Sequence, residues 1–454
     1  MAATIDTINQ QISDLKKKTI VVPAWSDLEK EYDPSKHPVM TDKQYRDKVK
    51  KGIVERMTRI TYGWQKLATK RMAELIFGIP VERIYKPKGE AEKKASRIIE
   101  DIYQRNRINS VNLDRAKQLY ASCEFITLWY AQAQPTEYAG ETSPLKLRCK
   151  TFSPMKGDTL YPRFDEYDDL IALSVEYQRQ EENKTITYFD SYTDTTHTRW
   201  RNDGKGWQVD IEERINIGKI AGVYKERPEP IWENTSDNVY EAEWAMSRNG
   251  NYLRKNSRPT WVICSDDNVN VGKEPTDNTS SRNIVKYSKG STAGYATWTQ
   301  AIESLRFHVE EIKKNFFMQL QLPDMSMENM KATPMSGEAR KMMFIDSQLK
   351  VLDEQGLWLE VFDRELNVVR AFAKVMYPHL AAAIDSLTVE HKITPYVISD
   401  TSERIKNLSD AAGGKAIASR RTAVSRLGWA DDVDEELEAI SNDEMGDVFN
   451  EAAV

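Results

Sequence analysis

The clearest periodic stretch of the chain is Trp298–Leu320, WTQAIESLRFHVEEIKKNFFMQL. Its large apolar residues recur at intervals of four and three: Trp298, Ile302, Leu305, Val309, Ile312, Phe316 and Leu320. This spacing places them on one side of an α-helix. We therefore predict a helix within residues 295–320 whose apolar side packs along one continuous neighbour.

A loop and a second, longer helix follow this stretch. Residues 321–336, QLPDMSMENMKATPMS, contain two prolines and four methionines, and proline interrupts helices. Ser336 is the predicted N-cap of a helix over 337–377, with Gly356 as a candidate bend and Pro378 as its end. Because methionine is flexible and apolar, the loop either packs against its own helices or faces a large moving surface or an adjoining subunit.

The residues before Trp298 predict a second helix and a small excursion between the two helices. Ser236 follows Pro228 and Pro230 and is the predicted N-cap of a helix over 236–255. Residues 256–294 are polar and rich in Gly, Asn and Ser, with two strand-like pieces, Thr260–Cys264 and Asn283–Tyr287.

The front half of the chain combines helical and β patterns. Helical spacing covers Asp42–Phe77 and Glu90–Ala131, and the second stretch includes the apolar segment Phe125–Tyr130. Residues 145–225 alternate with period two and predict an antiparallel meander, with Asp203-Gly204 as a hairpin turn. Short helices are predicted after Pro378. The fold class is therefore α+β and mainly α, with long helices and a β meander.

Composition indicates either long solvated helices or a subunit that buries further surface in an assembly. The chain has 454 residues, more than one hydrophobic core usually organises. Its hydrophobic fraction is 40%, and exchanging the 20 Tyr for the 20 Gly keeps that figure below the usual 45–50%. Such a lean core fits a protein that buries further surface against partners.

Charge is unevenly distributed along the chain. The net charge is -6, but residues 1–120 hold 25 Lys and Arg against 16 Asp and Glu. From Trp429 to Val454 there are ten acidic residues and no Lys or Arg. This charge balance argues against a positively charged surface that binds nucleic acid. The acidic C-terminal stretch indicates a solvated helix, unless a basic partner binds it.

The cysteines and the N-terminus indicate a reducing compartment and no membrane segment. Cys123, Cys149 and Cys264 form no CxxC pair, which disfavours a zinc knuckle or a disulfide framework. The first residues lack the pattern of a signal peptide, and no apolar run approaches the roughly 18 residues that span a bilayer. We therefore expect a soluble, intracellular protein.

No catalytic residue, metal ligand or cofactor site is predicted. The chain contains no GxxxxGK[ST], GxSxG or HExxH motif, and His197 is expected to be an ordinary hydrogen-bonded strand residue. The acidic cluster of residues 165–169 favours a solvated turn, with a metal-dependent hydrolase as the rival interpretation; its acids are Asp165, Glu166, Asp168 and Asp169. The basic runs favour a solvated surface over phosphate contacts; they comprise Lys16, Lys17, Lys18, Lys86, Lys88, Lys93 and Lys94.

The order of these elements resembles the portal proteins of tailed double-stranded-DNA bacteriophages, specifically the siphophage-type family. Three stretches carry the resemblance: Ser236-Asp237 after the two prolines, Ser336-Gly337-Glu338-Ala339 after the loop, and the ending Ile417–Asp431, IASRRTAVSRLGWAD, followed by Asp434–Glu438. The resemblance extends from about Gly52 to Glu444.

The resemblance implies a ring, normally of twelve subunits, around a channel for the genome. Within one subunit it implies a wing of N-terminal helices and β meander, two stem helices, a clip, a tunnel loop, a long wing helix and a helical crown. The wing of N-terminal helices and β meander corresponds to residues 1–235, the stem helices to 236–255 and 295–320, and the clip to 256–294. The tunnel loop corresponds to 321–336, the long wing helix to 337–377 and the crown to 378–454.

The resemblance also implies partners and contact residues. The tunnel loop would face DNA with Asp324, Met325, Ser326, Met327, Glu328, Asn329, Met330 and Lys331. The clip would meet the terminase and later the head-completion or adaptor proteins with Asp266, Asp267, Asn268, Lys273, Glu274 and Asp277.

A structural role in the virion follows from this resemblance. The subunit would serve genome packaging, head–tail joining and genome ejection at one capsid vertex, beside the major capsid protein, after assembly in the host cytoplasm. An acidic channel wall repels phosphates, so that DNA slides through without binding. The alternative is a helical adaptor or scaffold protein that does not contact DNA.

Overall fold

A computed structural model of the chain describes residues 5–50, 53–181, 184–256, 260–264, 292–296, 302–322, 345–396, 401–413, 417–430 and 433–451. They divide into two compact units. Unit 1 comprises Met1–Arg71, Arg115–Tyr130 and Cys149–Leu320, and unit 2 comprises Met72–Asp114, Ala131–Arg148 and Gln321–Val454.

The described residues contain thirteen α-helices. They are α1 (Ile5–Leu15), α2 (Trp25–Tyr32), α3 (Pro38–Thr41), α4 (Trp64–Phe77), α5 (Glu90–Arg105), α6 (Ile108–Ser122), α7 (Ser236–Asn256), α8 (Ile302–Gln319), α9 (Ile345–Met376), α10 (Ala381–Ser386), α11 (Thr401–Ala412), α12 (Arg420–Leu427) and α13 (Val433–Glu451). None of the helices in these ranges is long and apolar enough to cross a membrane.

The same ranges contain sixteen strands. They are β1 (Lys48–Lys50), β2 (Ile53–Glu55), β3 (Glu82–Lys86), β4 (Glu124–Gln132), β5 (Thr136–Tyr138), β6 (Glu141–Ser143), β7 (Lys146–Phe152), β8 (Thr159–Phe164), β9 (Leu170–Glu181), β10 (Lys184–Tyr192), β11 (Thr196–Asn202), β12 (Trp207–Arg214), β13 (Gly222–Glu226), β14 (Thr260–Cys264), β15 (Thr292–Ala296) and β16 (Thr388–Lys392). The mixture of long helices and antiparallel sheets confirms the predicted α+β class.

A five-stranded antiparallel sheet forms the β core of unit 1. Its strand order is β12-β11-β10-β9-β8, so consecutive strands are neighbours as predicted for a meander. The loop at Asp203-Gly204 connects β11 to β12, and Gly204 has a φ of +97°, which favours glycine. The predicted range of the meander, residues 145–225, was too long at both ends. Strands β7 and β13 belong to a different sheet with the order β13-β4-β7.

Helix α1 covers one side of the five-stranded sheet. Ile8 and Ile12 pack with Phe189 and Trp200 in one buried cluster. The neighbouring residue Asp190 points to the opposite side because successive strand residues alternate. Its buried carboxylate accepts two hydrogen bonds from the guanidinium of Arg199, at 2.7 and 3.0 Å.

Two predicted helical stretches were partly wrong. Phe125–Tyr130 lies in strand β4, and α6 ends before Cys123, whose φ is +62°. The first six residues of this strand are all buried, so its continuous apolar run shows no alternation that could distinguish it from a buried helix.

In the first stretch the helix begins only at Trp64, and the earlier residues Lys48–Lys50 and Ile53–Glu55 form the paired strands β1 and β2. Val49, Ile53 and Val54 are β-branched, and this side-chain shape favours strands over helices. Their four-residue spacing from Tyr45 and Met57 imitated a helical period.

Unit 2 is organised around α9. Phe77 contacts Trp358 and Phe362 of this helix, with ring centroids 4.8 and 6.0 Å apart. The helix runs through Gly356 to Met376 and ends before Pro378, as predicted. The expected start at Gly337 and its cap, Ser336, lie outside the described residues.

The C-terminal region contains the predicted short helices and one strand that the sequence did not predict. Strand β16 pairs with β3, with Glu390 opposite Ile84. Its sequence, TVEHK, alternates only between exposed and half-buried residues, so it carries little apolar signal. Helix α12 ends at Gly428, whose φ of +73° suits a C-terminal glycine.

Candidate functional site

Both sets of predicted contact residues lie outside the described ranges. This applies to all eight residues of the predicted tunnel loop between 324 and 331, to the six predicted clip residues between 266 and 277, and to the expected strand Asn283–Tyr287. Their assignments stay predictions. The neighbouring described elements are α7, α8, β14 and β15, all of which belong to unit 1.

Strand β14 confirms the predicted piece Thr260–Cys264, and its antiparallel partner is β15. Because β15 extends to Ala296, the helix predicted from residue 295 begins later, and its described part starts at Ile302. The β-branched and aromatic residues Thr292 and Tyr295 suit this strand. The chain between α7 and α8 therefore includes a two-stranded antiparallel sheet.

We call α7 and α8 the helical pair. The start of α7 lies beside the end of α8, where the Asn238 amide donates to Gln319 Oε1 at 3.4 Å. Helix α7 begins at Ser236, one residue earlier than the predicted cap requires. The Ser236 hydroxyl donates to Glu31 Oε2 at 2.7 Å, and the same carboxylate oxygen accepts from Trp232 Nε1 at 2.8 Å.

An extended segment, residues 56–62, binds along α7 through a ladder of hydrogen bonds. The backbone N–H groups of Thr58, Ile60 and Tyr62 donate to side chains of α7. Their acceptors are Asn251 Oδ1 at 2.6 Å, Ser247 Oγ at 2.9 Å and Glu243 Oε1 at 2.7 Å, respectively.

The ladder works because two periods match. Two residues of an extended chain advance about 6.6 Å, and four residues of an α-helix advance about 6.0 Å. Gly250 allows the close approach, since a Cβ atom there would lie 2.7 Å from Thr58 Cγ2. The polar side chains of α7 thus satisfy a backbone that forms no sheet in this segment.

A buried hydrogen bond between Glu243 and His37 anchors the ladder. Glu243 Oε1 also lies 2.7 Å from His37 Nδ1, and His37 Nε2 lies 2.8 Å from the Glu31 carbonyl oxygen. Both side chains of the pair are fully buried. The ring of His37 meets Tyr240 edge-on at 5.4 Å, and burial raises the pKa of Tyr240 to about 12, with the nearby Glu31 adding to the effect.

Aromatic packing fixes the end of α8. Phe316 and Phe317 are buried, and Phe316 contacts Trp64 with ring centroids 5.6 Å apart. The guanidinium of Arg71 lies 4.6 Å from the ring centre of Phe317. This end of the helical pair is therefore held by aromatic contacts within unit 1.

The other half of the helical pair exposes large side chains. Trp244 and Tyr252 of α7 are 37% and 42% exposed, and Phe307 of α8 is also exposed. A groove of about 400 Å³ runs between the helices on the side of Trp244 and Tyr252. Exposed aromatic residues beside a groove are typical of interaction surfaces.

The remaining candidate residues have structural partners. Asp165 Oδ1 accepts hydrogen bonds from the backbone N–H groups of Tyr167 and Asp169, at 2.8 and 2.9 Å, as expected for a turn. His197 lies 2.8 Å from Glu213 and stacks on Tyr192, which confirms an ordinary strand residue. Among the described residues, no group of three or more His, Cys, Asp or Glu could hold a metal ion.

The basic runs are also neutralised locally. Lys16, Lys17 and Lys18 pair with Glu176, Asp14 and Glu124. In unit 2, Lys93 pairs with Glu90 at 2.7 Å, and Lys94 pairs with Glu141 at 3.2 Å. These contacts favour the structural reading of both runs.

Sequence reasoning missed the ladder and the groove. A signal for the ladder was present, because Glu243, Ser247 and Asn251 form a polar row at intervals of four. The partner of that row could not be found, since residues 56–62 lie about 190 positions earlier.

A family model described as phage portal protein, SPP1 Gp6-like, matches residues 25–447, which is nearly the whole chain. A search of curated proteins gives no match.

The chain is also similar to solved structures of gene transfer agent (GTA) particles. The neck of the native particle, computed with C12 symmetry, has 13% identity and a TM-score of 0.41, covering 93% of this chain and 98% of that chain. The neck of the empty particle, computed with C6 symmetry, has 12% identity and a TM-score of 0.43 with the same coverage. The virion of the native particle has 12% identity and a TM-score of 0.41, covering 93% and 99%.

Proposed function

Because the chain belongs to the SPP1 Gp6-like family of phage portal proteins and is a portal subunit, we propose that its copies close into a ring around a DNA channel. The observation that carries the proposal is the family match across residues 25–447. The exposed aromatic residues of the helical pair support it, since they offer contact surface for neighbouring copies.

The portal family is structural, and we assign the chain a mechanical role without catalysis. The ring occupies one capsid vertex, where the terminase packages the genome and the tail later joins. Residues 256–294 contact the terminase and then the head-completion or adaptor proteins. Residues 1–235, 337–377 and 378–454 form the wing and crown and face the capsid interior and the major capsid protein.

Electrostatic repulsion between the acidic channel wall and the phosphates keeps the channel from binding DNA. Twelve copies of a chain with net charge -6 carry -72 formal charges, and a wall of this sign disfavours the counterion release that drives DNA binding. Residues 324–331 lie at the narrowest level of the channel. Their methionines offer uncharged, adaptable contact, and Lys331 is the basic residue among them.

The mass of the purified chain tests ring formation. Twelve copies of a 52.3 kDa chain weigh about 628 kDa, and mass photometry separates this assembly from a monomer. A stable 52.3 kDa monomer at all concentrations would favour the alternative, a helical adaptor that functions without forming a channel.

Deletion of residues 324–333 tests the channel itself. A loop bounded by helix breakers contributes little to folding, so the variant is expected to form rings and to enter capsids. We expect these capsids to contain less DNA than those of the wild type, measured by the ratio of full to empty particles. Full packaging by correctly assembled variant particles would remove the loop from the mechanism.

A further inference from the structure

The groove of the helical pair has a defined chemical character. It is lined from α7 by Glu241, Trp244, Ala245, Arg248, Asn249 and Tyr252, and from α8 by Ser304, Leu305 and His308. The guanidinium of Arg248 lies 4.9 Å from the ring centre of Trp244. Within the described part of the chain, no carboxylate forms an ion pair with Arg248, whereas His308 lies 3.3 Å from Glu241. The groove is thus aromatic, with an available positive charge.

The outer side of α8 carries the complementary groups. Glu303, Phe307, Glu310 and Lys314 follow one another at intervals of four, three and four, and all are exposed. We call these four residues the ridge. Leu305, Val309 and Ile312 are half-buried on the side of the helix toward α7, so the ridge faces away from α7. Phe307, with 65% of its surface exposed, stands between two carboxylates.

The ridge and the groove lie at the same level along the helical pair. Leu305 and His308 line the groove, and Phe307 lies within the same turn of α8. If copies are related by rotation about an axis parallel to the two helices, the ridge of one copy and the groove of the next therefore lie at the same level. A contact between two different surfaces of this kind can repeat around a closed ring.

We propose that the ridge of one copy seats in the groove of the next copy, with Phe307 against Trp244 and Tyr252 and with Glu303 paired to Arg248. The occupant is a second copy because the groove offers aromatic rings and a cation without an ion-pair partner among the described residues, and the ridge offers an exposed aromatic ring and a carboxylate. This inference rests on the proposed ring and adds the surfaces through which neighbours recognise each other.

Alanine substitution measures the apolar part of the contact. Because a buried interface aromatic is a typical binding hot spot, Phe307→Ala is expected to raise the concentration for half-maximal ring assembly by about tenfold or more. Tyr167→Ala removes an exposed aromatic from the turn between β8 and β9 and serves as the matched control, with assembly unchanged. Wild-type assembly by Phe307→Ala would contradict the proposal.

Charge exchange tests the ionic part. Arg248→Glu and Glu303→Arg each place like charges together across the contact, so each is expected to weaken assembly. The double variant restores opposite charges and should assemble better than either single variant. A double variant no better than the two single ones, or single variants that assemble normally, would overturn the assigned pair.

A mixing experiment shows whether the two surfaces belong to different copies. Phe307→Cys and Tyr252→Cys chains are assembled together and oxidised, and covalent dimers are expected from the mixture but from neither variant alone. The native cysteines are present in every sample and provide the background. Rings without mixed dimers would refute this interface and leave the proposed function intact. A failure of the wild type to form rings would refute the proposed function.

Discussion

The five-stranded sheet and the helical pair both belong to unit 1, but they treat their aromatic residues in opposite ways. In the sheet, Phe189 and Trp200 are covered by α1 of the same chain. In the outer half of the helical pair, Trp244, Tyr252 and Phe307 are exposed. The aromatic residues of the sheet are therefore covered within the chain, while the helical pair leaves aromatic surface exposed. Substitutions of buried and exposed side chains in these regions test the contrast.

Two phenylalanines give the largest expected difference. Phe189 is 0% exposed and Phe307 is 65% exposed. Truncating the buried ring removes transfer free energy and leaves a cavity, so Phe189→Ala should lower the free energy of unfolding by about 3–5 kcal/mol. Phe307→Ala should change it by less than about 0.5 kcal/mol, because exposed sites matter little to folding.

Denaturant unfolding at a concentration where the chain is monomeric measures both values. Equal destabilisation by the two substitutions would show that Phe307 packs within its own chain, and the contrast between the regions would then be lost.

Two glutamates of α7 provide a second comparison between a buried and an exposed side chain. Glu243→Ala leaves the Tyr62 N–H and the ring of His37 without their shared acceptor, which should cost about 1–3 kcal/mol. Glu241 lies half a turn away on the exposed side, and Glu241→Ala should cost less than about 1 kcal/mol.

Hydrogen exchange adds a local measurement to this pair. The amides of Thr58, Ile60 and Tyr62 should exchange faster in Glu243→Ala and at the wild-type rate in Glu241→Ala. Unchanged protection in both variants would mean that the ladder does not hold the segment on α7.

Removing Arg199 tests how strongly the sheet depends on its own polar partners. Asp190 is buried and depends on the Arg199 guanidinium, whereas Arg248 of the groove has no such carboxylate among the described residues. Arg199→Ala should cost several kcal/mol, roughly the 3–5 expected when a buried pair loses one member. Arg248→Ala should leave monomer stability within about 0.5 kcal/mol. Equal effects would contradict the contrast.

The smallest effect concerns a buried histidine of unit 2. Burial lowers the pKa of His391, although the Asp363 carboxylate at 3.1 Å acts in the other direction. The unfolded chain then binds more protons, so stability falls as the pH decreases through about 6.5, the ordinary histidine value. His391→Gln should flatten this dependence between pH 7.5 and 5.5. His379→Gln, at an exposed position, is the control and should leave the dependence as it is in the wild type.

The same contrast explains what could be predicted from the sequence. Elements with a regular apolar period could be predicted, because the period is a local signal. Examples are the helical spacing from Ile302 to Leu320 and the strand alternation from Leu173 to Tyr192. Segments whose hydrogen bonds come from distant residues were misread. Residues 56–62 depend on side chains of α7, and β16 depends on β3, about 300 residues earlier.

The candidate site was predictable in outline only. The order of helix, excursion, helix and loop indicated the family, and the family match confirms that reading. The groove depends on how α7 turns relative to α8, and the sequence periods of the two helices do not encode this rotation.

Electron microscopy of the purified chain, viewed along the ring axis, shows directly whether copies form a ring around a DNA channel. We expect a closed ring with a central hole and with residues 321–336 lining that hole. A compact particle without a hole, or a ring with residues 321–336 far from the axis, would contradict this expectation.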